Sequence, residues 1–146
     1  MQNKGHIMDL EECIEKGLLK KERIEKERIK KELNESKKDF SDAKESFKTK
    51  KFKWAIIQCY YSMFHAVRAV LFSYGLKERS HFTLSIFLEH LVKENKLDSK
   101  FLNDFKAAMF LRESADYRAE YSRERAEKLL EIAKEFNKEI KKLIKL

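Results

Sequence analysis

Trp-Ala-Ile-Ile-Gln-Cys-Tyr-Tyr-Ser-Met-Phe-His-Ala-Val-Arg-Ala-Val-Leu-Phe, residues 54–72, decides the fold class. Only Gln58, Ser62, His65 and Arg68 interrupt an otherwise apolar or aromatic run. A surface helix carries one apolar stripe, whereas a helix apolar nearly all round has to be covered on most sides. The stretch is therefore expected to run through the middle of the fold or to lie under a partner subunit. Tyr61, His65 and Arg68 stand at i, i+4 and i+7, on one helical face. A phenol, an imidazole and a guanidinium aligned on the most apolar helix need a joint explanation, structural or functional.

The run is long enough for a membrane span, but His65 and Arg68 sit well inside it. A central arginine costs about 2.5–3.5 kcal/mol on insertion scales. Lys48, Lys50, Lys51 and Lys53 precede it and Gly75 follows, which are the flanks of a soluble helix. No span is expected.

With 146 residues the chain has room for one core. We expect a flexible N-terminus over 1–8, with Met8 an alternative start, and a single domain over 9–146. Residues 1–8 contain no apolar segment of signal-peptide type. Cys13 and Cys59 lack metal-ligand spacing, which suits a reduced, cytoplasmic protein. No pair of His, Cys or acidic residues suggests a metal site, and no cofactor is expected. There is no proline and there are three glycines, so long helices are favoured. Charged residues make up 40%, mostly Lys and Glu, a balance resembling that of hyperthermophile proteins. The net charge of +8 is spread along the chain: 14 basic against 12 acidic groups in 1–50, 8 against 4 in 51–100, and 11 against 9 in 101–146. Such an excess permits RNA contact without requiring it.

Helical periodicity runs almost end to end. Residues 9–20 give a short amphipathic piece. Residues 21–48 follow, with Ile29, Leu33, Phe40, Ala43 and Phe47 on a heptad-like seam and Glu22–Lys26 and Glu27–Lys31 spaced for ion pairs. Gly75 is placed to end the central helix in a left-handed conformation. Ser80, Asp98 and Ser122 are placed to cap the next three helices. The spacing predicts no strand and an all-α fold, an antiparallel up-and-down bundle of four to five helices.

The helix after Asp98 holds a second anomaly. Its core-facing phase reads Phe101, Phe105, Ala108, Arg112, Ala115. A desolvated guanidinium needs a partner, and Asp116 stands one turn on, followed by Tyr117. If the two anomalous helices are neighbours, Tyr61/His65/Arg68 and Arg112/Asp116/Tyr117 could share one pocket.

Tyr60-Tyr61-Ser62-Met63-Phe64-His65, then Ser80-His81, then Arg112-Glu113-Ser114-Ala115-Asp116-Tyr117 resembles, in order and spacing, a prokaryotic HEPN-domain family. The resemblance covers roughly 25–140. It implies a helical bundle, commonly a homodimer, often encoded beside a minimal nucleotidyltransferase as a toxin–antitoxin-like pair. Active members of the superfamily are metal-independent ribonucleases built on an Arg-x4–6-His motif. This chain departs from that motif: after Arg112 the corresponding positions hold Tyr117, Arg118 and Ala119.

The departure has chemical weight. Metal-free RNA cleavage needs a base for the 2′-hydroxyl and a cation for the phosphorane. Histidine titrates near ~6.5, whereas tyrosine titrates near ~10 and is a poor base at neutral pH. The expected role is therefore binding of RNA or a nucleotide phosphate in an accessory or toxin-like capacity, with a nucleotidyltransferase as partner. Candidate binding residues are Arg112, Arg68, Tyr61, Asp116 and His81. If there is catalysis, Arg112, Tyr117 and His65 are its candidates. One alternative is an endoribonuclease in which His65 or His81 supplies the missing imidazole. Another is a helical interaction module whose polar clusters only fix packing.

Overall fold

The computed structural model describes residues 9–145. The expectations for residues 1–8, including the start at Met8, lie outside the described residues. The elements are α1 (Leu10–Glu15), β1 (Leu19–Lys21), α2 (Lys26–Lys48), α3 (Phe52–Ser73), β2 (Leu76–Glu78), α4 (His81–Lys93), α5 (Ser99–Tyr117) and α6 (Arg123–Lys141). Among the described residues five long helices form the bundle, and α1 is a short helix beside it. The all-α expectation holds.

α3 is the axis of the fold and packs chiefly against α2, α6 and α5. Ile56, Cys59, Tyr60, Met63, Val67, Val70 and Leu71 have no exposed surface. Burying each large apolar side chain contributes about 1.5–3 kcal/mol, so this one helix dominates the core. By length and composition α3 could cross a membrane, but most of it is buried inside the bundle. Its own chain covers it. Of the two expected placements, the run through the middle of the fold is the one observed, and the half-open stripe left on α3 is Gln58, Tyr61, His65 and Arg68.

The caps form as the sequence requires. Gly75 sits at φ +73°, and a Cβ there would come within 3.3 Å of the Glu22 carbonyl oxygen. The Ser80 N–H donates to Thr83 Oγ1 at 3.1 Å. Asp98 accepts from the Lys100 N–H at 2.8 Å and Ser122 from the Arg125 N–H at 3.1 Å. These bonds satisfy donors that the first helical turn leaves free.

Two expectations are corrected. First, β1 and β2 form an antiparallel ribbon in the register Leu19↔Glu78, Lys20↔Lys77, Lys21↔Leu76. Each strand follows a left-handed glycine, Gly17 or Gly75, that turns the chain out of a helix. Three residues are too few for alternation to show in a sequence. A lone ribbon is marginal in water, and here buried Leu19 and Leu76 hold it to the core. The amphipathic piece at 9–20 thus becomes α1 plus a strand, and α2 begins at Lys26 rather than 21. Glu22 pairs with Arg28 at 2.6 Å instead of Lys26.

Second, the buried seam of α2 is Ile29, Glu32, Ser36, Ala43 and Ser46. Leu33, Phe40 and Phe47 are only half-buried. The helix is rotated from the apolar seam because the polar groups of α3 need partners. Ser36 and Ser62 exchange two hydrogen bonds, each hydroxyl donating to the other's carbonyl at 2.8 and 2.7 Å. Ser46 Oγ lies 2.7 Å from the Gln58 amide.

Candidate functional site

The polar stripe of α3 is met by acidic residues. His65 Nδ1 lies 2.7 Å from Glu32 Oε1, and its Nε2 lies 3.6 Å from Asp39 Oδ2. Arg68 Nη1 sits 3.4 Å from both Glu32 oxygens. Its Nε is 2.7 Å from Glu78 Oε2, an ion pair whose N–H is not directed at the oxygen. The guanidinium also lies over the Phe64 and Phe72 rings, 5.4 and 4.9 Å from their centroids. Burial pushes the Asp39 carboxyl above the usual range, with the His65 ring pulling the other way. The charge on Arg68 is thus largely spoken for by Glu32 and Glu78.

Arg112 is placed differently. Its side chain is 12% exposed and lies 3.6 Å from Asp116 Oδ2, whose own side chain is 35% exposed. A partly open ion pair of this length contributes about 1 kcal/mol or less. Nη1 donates to the Tyr117 hydroxyl at 3.4 Å, and the guanidinium faces the rings of Tyr60, Tyr61 and Tyr117 at 5.3–5.8 Å. Its Nε is buried and meets no acceptor. Burial opposes the charge, but the Tyr117 hydrogen bond and the surrounding phenols hold the guanidinium above the ordinary arginine value.

His81, at the first turn of α4, joins the two clusters. Its Nδ1 is 2.8 Å from the buried Tyr60 hydroxyl, and its ring stacks on Phe64 at 4.4 Å and meets the Tyr61 ring edge-on at 5.9 Å. Burial, then the positive charges of Arg112 and Arg68, lower its pKa, and His65 adds to the effect. The ring is therefore neutral at pH 7. Burial also raises the Tyr60 phenol, which stays protonated. Arg68, Phe64, His81, Tyr60 and Arg112 form one unbroken chain of contacts. Tyr117 ends α5 and is 74% exposed beside this face.

The expected residues are thus brought onto one side of the bundle, but unequally. Arg112, Asp116, Tyr117, Tyr61 and His81 gather around one cation, while His65 and Arg68 are tied to α2 and β2. Sequence reasoning missed Glu32, Asp39 and Glu78, which do the tying. A signal existed: Glu32, Asp39 and Ser46 repeat every seven residues, as do Gln58 and His65 on the antiparallel helix. Among the described residues no three His, Cys, Asp or Glu side chains converge as a metal cage. Chemically, the face offers a guanidinium with a free N–H, a neutral imidazole and three phenols.

The sequence matches the HEPN domain model over residues 29–143. It is 29% identical over 101 residues to a Methanocaldococcus jannaschii protein named "Putative toxin", covering 67% of this chain and 69% of that one. A second protein of that organism with the same designation is 29% identical over 132 residues, 89% of this chain and 97% of its own. A "UPF0332 protein" of Archaeoglobus fulgidus is 28% identical over 114 residues, 77% of this chain and 91% of its own. The three motif blocks, the central helix and the face they build all fall within the matched span, and the chain belongs to the HEPN domain family.

Proposed function

We propose that the face formed by α3, α4 and α5 binds a phosphate group of RNA or of a nucleotide, in a toxin-like protein that works with a nucleotidyltransferase partner in the cytoplasm. The observation that carries this reading is Arg112: a partly exposed guanidinium with an unused, buried Nε–H and only a distant, half-open carboxylate against it. A phosphate oxygen is a stronger partner for that fork than Asp116 at 3.6 Å. Tyr61 and His81 flank the cation and supply further hydrogen bonds, and Asp116 and Tyr117 orient it. Arg68 and His65 hold α3 in place through Glu32. The relatives named as toxins support the toxin-like part of the reading.

A homodimer fits the same face. Phe82 beside His81, and Phe110 and Tyr117 seven residues apart on α5, are 62%, 54% and 74% exposed. Large apolar side chains standing clear of the surface around a site suit a second copy that would border it. The test is fluorescence anisotropy with labelled structured RNA, alongside nucleotide titration and light scattering. Arg112→Ala should abolish nucleotide binding and weaken binding of the structured RNA while the fold persists. Equal binding by wild type and variant would discard the site.

One observation favours a second reading, metal-independent RNA cleavage with His81 as the base. The imidazole is held neutral within the field of Arg112, the state a general base needs. Cleavage in chelator that is lost in both His81→Ala and Arg112→Ala would select this reading over simple binding.

A further inference from the structure

α2 and α6 leave a groove of about 300 Å³ between them, on a different pair of helices from the α4–α5 face. Lys37, Phe40 and Lys44 wall it on α2, and Lys134, Asn137, Lys138 and Lys141 on α6. On each helix two lysines stand seven residues apart, about 10 Å along the axis. Among the described residues none of these five lysines lies within ion-pair distance of a carboxylate. Elsewhere on α5 Lys100 bridges Asp104 and Glu135, so pairing is available to this surface and is absent from the groove. Burial and the nearby Lys37 lower the pKa of Lys141. A row of unneutralised ammonium groups attracts a polyanion and repels a second copy of itself.

The groove is not only charged. Phe40 presents a half-buried ring to it, with Lys44 Nζ 5.3 Å from the centroid. Asn137 is 7% exposed, and its orientation is fixed by its neighbours. Ser62 Oγ gives its single proton to the Ser36 carbonyl at 2.7 Å, so it must accept from Asn137 Nδ2 at 2.8 Å. Asn137 Oδ1 is then left buried with no donor, a costly state. A phosphodiester has no proton to offer it at neutral pH. The exocyclic amine of adenine or cytosine has one.

We propose that the α2–α6 groove is a binding track for single-stranded nucleic acid, in which the lysines hold successive phosphates, Phe40 stacks a base and Asn137 Oδ1 accepts from that base's exocyclic amine. The track uses neither Arg112 nor any residue of α4 or α5, and it stands even if the Arg112 face binds nothing. Phosphates supply salt-dependent affinity and the ring supplies sequence-tolerant stacking, the usual division in single-strand binding.

The test is anisotropy of the full chain with labelled 12-nucleotide oligo(A) and oligo(U) across a salt series, with circular dichroism melts confirming that each variant folds. The variants are Lys134→Gln/Lys138→Gln/Lys141→Gln together, and Phe40→Leu. Three lost phosphate contacts should lower the salt slope by about 2, at ~0.7 per contact. Phe40→Leu should weaken binding about tenfold with the slope unchanged. Oligo(A) should bind more tightly than oligo(U), which offers Asn137 Oδ1 no exocyclic amine. An unchanged slope in the folded triple variant would overturn the proposal. So would a neutral Phe40→Leu, which would leave a charged patch rather than a nucleotide site.

Discussion

Replacing Glu32 tests what fixes the register between α2 and α3. Glu32 is 7% exposed, and its carboxylate meets His65 at 2.7 Å and Arg68 at 3.4 Å. Removing one partner of a buried pair costs about 3–5 kcal/mol, because the other charge is stranded. Arg68 keeps Glu78 and two ring faces, and about a fifth of its side chain reaches water, so we expect Glu32→Ala to cost about 2–3 kcal/mol. For a domain of this size that is a fall of roughly 6–12 °C in Tm. Urea unfolding followed by helical circular dichroism reads the loss directly, with an unchanged m-value confirming that both end states are preserved. The cycle of Glu32→Leu with Arg68→Met, run in a Glu78→Gln background so that the second carboxylate of Arg68 is not stranded, should recover most of it. A loss under about 0.5 kcal/mol, or strictly additive single variants, would refute the reasoning.

Arg112→Ala should cost only about 1–2 kcal/mol, less than a fully buried pair, because Asp116 is a third exposed and what is lost is mainly ring contact; thermal melts read this, and a loss above ~4 kcal/mol would place Arg112 in the core rather than at a site. Stability should fall as pH is lowered from about 7 towards 5: His81 and His90 have lowered pKa values in the fold, so the unfolded chain takes up protons first, below its ordinary ~6.5. In melts at a series of pH values, His81→Gln should flatten part of that slope, and an identical slope would remove His81 as a contributor. Tyr117→His restores an imidazole at the superfamily's motif position, and in chelator-treated RNA assays it should cleave faster than wild type; equal rates would show that the exposed end of α5 is not where a base acts.

How far the sequence could be read follows from which interactions are local. Gly75, Ser80, Asp98 and Ser122 act within one turn of the chain, so helix ends could be read directly. The central position of α3 followed from its composition alone. The seam of α2 could not be read that way, because an apolar count favours Leu33, Phe40 and Phe47 while the fold buries Glu32, Ser36 and Ser46. Those three are polar, and they become good core residues only once Gln58, Ser62, His65 and Arg68 are known to face them. The ribbon was hidden for a similar reason: Leu19 and Leu76 are far apart in sequence, and neither strand is long enough to announce itself.

The same logic separates the two arginines that looked alike in the sequence. Arg68 and Arg112 are both cations on apolar helices, each with aromatic neighbours. What distinguishes them is their carboxylates, and the carboxylates of Arg68 come from α2 and β2, 36 and 10 residues away. The anion within reach of Arg112 sits on its own helix, at a long 3.6 Å. A guanidinium neutralised by two other elements holds the fold together, and one left with a half-exposed local partner fits the phosphate-binding role proposed for Arg112. Swapping the arrangement should swap the roles. Glu78→Gln together with Glu32→Gln frees Arg68, and at a temperature where the variant still folds its RNA affinity should rise above wild type, as the net charge gain of two also adds attraction. If binding by that variant equals wild type, Arg68 lies outside the reach of the bound phosphate, and the face centred on Arg112 is confined to α4, α5 and the Tyr60–Tyr61 pair.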